Sequence, residues 1–111
     1  MAYDEDLADR IREQLAGEPG VSEQRMFGGL AFLVGGHMAV AASGQGGLMV
    51  RVDPAHTDAL VEEPHAEPFV MRGREARGWL RVTAEGVLTD EQLEPWLERG
   101  VAYARSLPAK R

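Results

Sequence analysis

Residues 25–52, RMFGGLAFLVGGHMAVAASGQGGLMVRV, limit what this chain can fold into more than any other stretch. Three short apolar runs, residues 30–34, 38–42 and 48–52, are separated by glycine-rich breaks. Runs of this length bounded by glycine read as strands, and glycine pairs supply the positive φ that tight reversals between strands require. The segment is therefore expected to be a buried antiparallel meander that forms the core of a sheet. Gly35 and Gly36, between LAFLV and HMAVA, are the strongest hairpin signal, and Gly28 with Gly29 marks a second tight reversal or bulge. The break at residues 43–47 is longer and is expected to be mobile.

The flanks read as helices and a second hairpin. Tyr3, Leu7, Ile11 and Leu15 recur every four residues behind Asp4, Glu5 and Asp6, which predicts an amphipathic helix that ends near Gly17 and is closed by Pro19 and Gly20. A first strand follows at residues 22–27. Asp53 and Pro54 supply an N-cap acceptor and an N1 proline, starting a short helix that runs to about Glu62 before Pro64. Residues 65–67 then form a loop, 69–71 a short strand, 72–77 a turn and 78–82 the last strand. Thr89 and Gln92 have capping-box spacing, with Leu88 and Leu93 placed as a hydrophobic staple.

The last helix carries Leu93, Trp96, Leu97, Val101 and Ala104 on one stripe, and Gly100 lies on that stripe where another backbone can approach. Pro95 predicts a kink in the first two turns or a start nearer Glu94, and residues 108–111 read as a frayed tail. The fold class is thus α+β: one domain over residues 1–111, two layers, a mainly antiparallel sheet with helices packed on it, in the order α-β4-α-β2-α.

Composition excludes several functions. There is no cysteine, so disulfides, thiolate metal sites and cysteine nucleophiles are absent. A net charge of -6 opposes non-specific binding to a phosphate backbone, and direct nucleic-acid binding is not expected. Acids stand where a secretory signal would carry basic residues, and no run of apolar residues is long enough to span a bilayer. The expected location is the cytoplasm, without membrane contact.

No reaction centre is spelled out in the residues. The glycine pairs lack the Gly-Lys-Ser/Thr or GxGxxG context of phosphate loops, and GQGG precedes a strand rather than a helix. His37, His56 and His65 have no metal-ligand spacing, and Ser22, Ser43 and Ser106 lie in no nucleophile elbow. Arg72, Arg74, Arg77 and Arg81, with Trp79 interleaved, form the one basic concentration; it reads as a solvated hairpin rim, with a nucleic-acid surface as the rival. Arg25, just before the apolar stretch, reads as half of a structural ion pair, with Glu23 on the same strand face. No catalytic, cofactor or metal residue is assigned. The candidate interaction or ligand positions are Arg25, Phe27, Gly28, Gly29, His37, Arg72, Arg74 and Trp79.

Taken together, YDEDLADRIREQL, RMFGGLAFLVGGHMAVA, LMVRV, EPHAEPF, the Gly78-Trp79 pair and LTDEQLEPWLERGVAYA resemble the N-terminal domain family of TfoX (Sxy) proteins. The resemblance implies a secretion-chaperone-like α+β fold and a non-enzymatic role through protein contacts. Full-length members are positive regulators of competence genes, assisting a cyclic-AMP-dependent transcription activator, so the implied partner is a protein such as a transcription regulator. The chain resembles a stand-alone N-terminal domain without the helical C-terminal one. Strand edges and the Gly100 stripe leave a homodimer open. The alternative is a small-molecule or metal-binding protein, or a weak enzyme, using the glycine-rich loops with His37 or His65.

Overall fold

The computed structural model describes residues 3–26, 28–71 and 73–108. Helix α1 (Glu5–Gln14) starts where the Asp4 carboxylate accepts the N–H groups of Asp6 at 2.9 Å and Leu7 at 3.2 Å, satisfying two donors that the first turn leaves free. Leu7, Ala8 and Ile11 form its buried face.

Strands β1 (Val21–Met26), β2 (Gly29–Val34), β3 (His37–Ala42) and β4 (Leu48–Arg51) make the expected meander. Gly35 and Gly36 turn β2 into β3 with φ of +61° and +86°, the double positive φ of a primed two-residue reversal. After β4, the Asp53 carboxylate accepts the Ala55 N–H at 2.9 Å and starts a 3-10 turn (Pro54–His56) that runs into α2 (Thr57–Leu60). Buried Thr57 accepts the N–H of Gly78 at 2.9 Å and thereby ties α2 to the sheet.

Strands β5 (Ala66–Met71) and β6 (Arg74–Val82) complete the sheet. The last hairpin is longer than its apolar letters predict. β5 begins at Ala66 rather than Phe69, and residues 74–77 belong to strand β6 rather than to a turn, with Glu75 opposite Val70 and Arg74 opposite Met71. Cross-strand pairing, a tertiary effect, recruits these polar residues, which local hydrophobicity does not mark.

Among the described residues the sheet has six strands in the order β1-β2-β3-β4-β6-β5, every pair antiparallel. The edges are β1 and β5, and β5 carries Pro68 and a break in register between Pro68 and Val70. This is the two-layer α+β arrangement that the element order predicts.

A second 3-10 turn (Ala84–Val87) leads to α3 (Asp90–Ser106), which opens on the reciprocal Thr89–Gln92 capping box. The expected staple does not form. Val87 is buried just ahead of it, while Leu88 is 68% exposed. Nor does the helix start near Glu94: it begins at Asp90 and contains Pro95. Both Pro95 and Glu91, whose carbonyl Pro95 cannot serve, are exposed, so the helix carries its proline on the face turned to solvent.

Helices α1 and α3 cover one face of the sheet. Ile11, Phe32, Val40, Val50, Leu80, Leu93 and Leu97 meet there with 0 to 2% exposure. At Gly100, α3 comes so close to β3 that an added Cβ would lie 2.5 Å from the Ala39 carbonyl oxygen and 2.9 Å from the Val40 side chain. The close approach read from the helical stripe is therefore a joint between the layers that leaves no room for a side chain.

Candidate functional site

The opposite face of the sheet has its own apolar cluster, and no helix residue belongs to it. Successive strand residues point to opposite faces, and β2, β3 and β4 are apolar at both parities, so burying one face under helices leaves a second apolar face. Ala31, Ala41, Met38 and Met49 are buried at its centre; Met26, Leu33, Phe69 and Trp79 stand half-buried around them. One cross-strand row, Gln24–Ala31–Ala41–Met49–Arg81–Glu67, crosses all six strands. Alanines and a methionine form the middle of this row, and polar residues form its ends.

The face is concave. Met26 of edge strand β1 and Phe69 and Val70 of edge strand β5 line the same cavity of about 390 Å³, with Gly29, Ala41 and Met49. The sheet must curl for both edges to reach one cavity. Ser43, Gly44 and Gln45 close one end, and the loop they belong to is pinned rather than free-standing. Its ends are joined by the Ser43 N–H to the Gly47 carbonyl at 3.0 Å. Arg81, opposite Met49, donates to the Gln45 side chain at 2.6 Å and to the Gln45 and Gly46 carbonyls at 2.9 and 3.2 Å. Beyond Trp79, the Arg51 guanidinium lies 5.4 Å from the ring centroids of both Trp79 and Tyr103. Cation–π contact is its only polar engagement among the described residues, which leaves its five donors for an incoming acceptor.

The anticipated positions divide around this trough. Gly29 and Trp79 belong to it. Gly28 turns the β1–β2 hairpin with φ +75°, and Gly29 packs against the Ala42 carbonyl too closely to admit a side chain. Arg25 is exposed and makes no ion pair among the described residues; Glu23 is held by Arg12 instead, at 2.6 and 2.8 Å. The expected Arg25 pair is thus replaced by one between α1 and β1, because the helix brings a guanidinium square onto the carboxylate. That guanidinium holds the Glu23 carboxyl below the usual carboxylate range.

His37 bonds through its ring to the Pro108 carbonyl, away from the trough. His65 takes a positive φ of 68°, its carbonyl accepts the Thr83 N–H, and its side chain packs against Gly86. The histidines and the glycine-rich loops therefore do not converge. Among the basic cluster, Arg77 is engaged by Asp58 and the Pro54 carbonyl, Arg81 by the Gln45 loop, and Arg74 is exposed at the start of β6. Phe27 and Arg72 lie outside the described residues.

Sequence reasoning missed Met26, Met38, Met49 and Phe69. Their signal was the lack of a polar parity in the central strands: a sheet with helices on only one side needs such a parity, and this one does not have it. Between α2 and α3 a second cavity of about 440 Å³ includes His56, Arg99 and Tyr103, but Arg99 is already stacked on Trp96 and paired with Glu63. No group of three or more His, Asp or Glu side chains among the described residues is placed to hold a metal ion. None of the described helices is long and apolar enough to cross a membrane.

Helices on one face of an open antiparallel sheet, with a concave methionine-containing cluster on the other face that no helix among the described residues covers, define a two-layer α+β domain. The family model of the TfoX N-terminal domain matches residues 13–104, and the chain belongs to that family. It is a family of non-catalytic domains. Comparison with curated proteins gives no match.

Proposed function

We infer that this chain is a non-enzymatic regulatory module that binds a protein partner through the trough. The observation that carries the reading is the trough itself: an apolar concavity in a cluster that holds three methionines, with Arg51, which makes no hydrogen bond or ion pair among the described residues, next to Trp79 at its margin. Methionine side chains adapt to irregular apolar surfaces and recur where one face must accept a partner's side chains. The open part of this cluster is its rim, half-buried Met26, Leu33, Phe69 and Trp79 with exposed Val70, and apolar surface gathered in this way is what a partner's side chains would meet. The occupant that fits is a protein segment with an apolar anchor for the cavity and a carboxylate for Arg51. Family membership favours a transcription regulator as the source of that segment, with competence genes as the setting.

The test is capture from native lysate on three immobilised proteins: wild type, Val70→Glu and Arg51→Glu. Val70 lines the cavity but is 57% exposed, so a charge there spoils the apolar surface without entering the core. Circular dichroism confirms that each variant is folded. A partner retained by wild type and lost from both variants supports the reading; retention by all three, or by none, overturns it.

One observation favours a second reading. About 390 Å³ of apolar space closed at one end by a polar loop lies within the size range of small-molecule sites. In that case an apolar ligand raises the melting temperature of wild type with the logarithm of its concentration, and Val70→Glu abolishes the shift.

A further inference from the structure

The edge strand β1 carries its own instructions for pairing. Its exposed residues run Ser22, Glu23, Gln24, Arg25, and its outer backbone has no partner among the described residues. The Gly35 N–H donates to the Gly20 carbonyl at 3.1 Å, which sets the phase of the ladder. Even-numbered residues of β1 direct their N–H and C=O groups to β2, while Val21, Glu23 and Arg25 direct theirs outward. Glu23 faces Phe32 and Arg25 faces Leu30 across the ladder, so both side chains lie on the helix side of the sheet.

A second copy of the same edge can add to this one antiparallel only where outward-directed residues meet outward-directed residues. Of the two-fold registers that satisfy that condition, those centred on Glu23 and Gln24 pair five residues of each strand, whereas those centred on Ser22 and Arg25 pair three, and the Ser22 register leaves Arg25 outside the paired strands. Centring on Glu23 sets carboxylate against carboxylate, and centring on Arg25 sets guanidinium against guanidinium. Like charges directly opposite are destabilising. Centring on Gln24 places Glu23 opposite the second copy's Arg25 twice over, in hydrogen-bonded pairs, with Gln24 facing itself.

Two further features suit this register. Arg25 makes no ion pair within its own chain among the described residues. Glu23 spends one acceptor site of each oxygen on Arg12 and retains others for a second guanidinium. Asp9, Arg12, Glu23 and the second copy's arginine would then alternate in sign, because Arg12 also contacts Asp9 at 2.6 Å.

We propose that β1 is a homodimer interface, in which two copies join their sheets edge to edge about a two-fold axis at Gln24. This surface is separate from the partner trough, and its fate does not depend on that reading. A six-residue edge lies at the small end of specific interfaces, so the dimer forms with rising concentration.

The register gives the test, because the chain has no cysteine of its own. Across a two-fold at Gln24 the two Cα atoms of a non-hydrogen-bonded pair lie about 4.5 Å apart, within disulfide reach. Gln24→Cys should therefore cross-link to a covalent dimer under mild oxidation, while Ser22→Cys, which faces the second copy's Met26, should not. Light scattering on wild type should show the mass doubling as concentration rises. Arg25→Glu should weaken that association roughly tenfold, since two attractive pairs become repulsive. A wild type that stays monomeric at millimolar concentration overturns the proposal. So does a dimer unaffected by Arg25→Glu, or cross-linking no faster at position 24 than at position 22.

Discussion

At the scale of single residues, the pairing of Arg12 with Glu23 shows how a fold reassigns charges. Glu23 and Arg25 stand two apart on one strand face, yet Glu23 is engaged by a guanidinium from α1. That contact lowers the Glu23 pKa in the folded chain below its unfolded value, so its contribution to stability is complete above the ordinary glutamate range. The contribution is lost as pH falls through the depressed range, where the folded carboxylate takes up its proton. In dilute protein, wild type should unfold at a higher urea concentration than Glu23→Gln at neutral pH, and the gap should close in acid. A gap that persists unchanged into strong acid would show that the pair does not titrate as described. Sequence alone could not reveal this partner, because Arg12 and Glu23 meet only once α1 has packed against the sheet.

At the scale of elements, α3 was legible almost in full. The Thr89–Gln92 box, the apolar stripe and the place of Gly100 on it follow from spacing, and the structure has all three. Its joint to β3 makes a sharp prediction. Gly100→Ala introduces a methyl against the Ala39 carbonyl and the Val40 side chain, and overpacking of this kind costs about 1–3 kcal/mol. The urea midpoint should fall accordingly, with the slope of the transition unchanged; an alanine that stabilises would mean that the layers can separate freely. Elements whose extent depends on partners were less legible. β6 gains Arg74 and Glu75 from pairing with β5, and Leu88 stays exposed while Val87, just ahead of it, is buried. The trough was visible only in part: apolar runs with no polar parity announce burial on both faces, but the runs alone do not say that helices cover just one.

At the scale of the whole molecule, the two sheet edges are unequal. β1 is a six-residue edge without proline, whereas β5 carries Pro68 and a register break. Proline removes a donor from a strand's ladder and is one of the devices by which edges resist addition. Pro68→Val should therefore yield species larger than a dimer in light scattering at concentrations where the proposed β1 interface would hold wild type at two copies. Unchanged behaviour would assign the blocking to the register break instead. The asymmetry reaches beyond this one substitution. A subunit with two pairable edges is a link that can be strung without end into a filament, whereas a subunit with one is a link that closes on its twin. With a proline on the outer strand of the last hairpin, pairing at the proposed β1 interface would close on two copies rather than extend through the sheet.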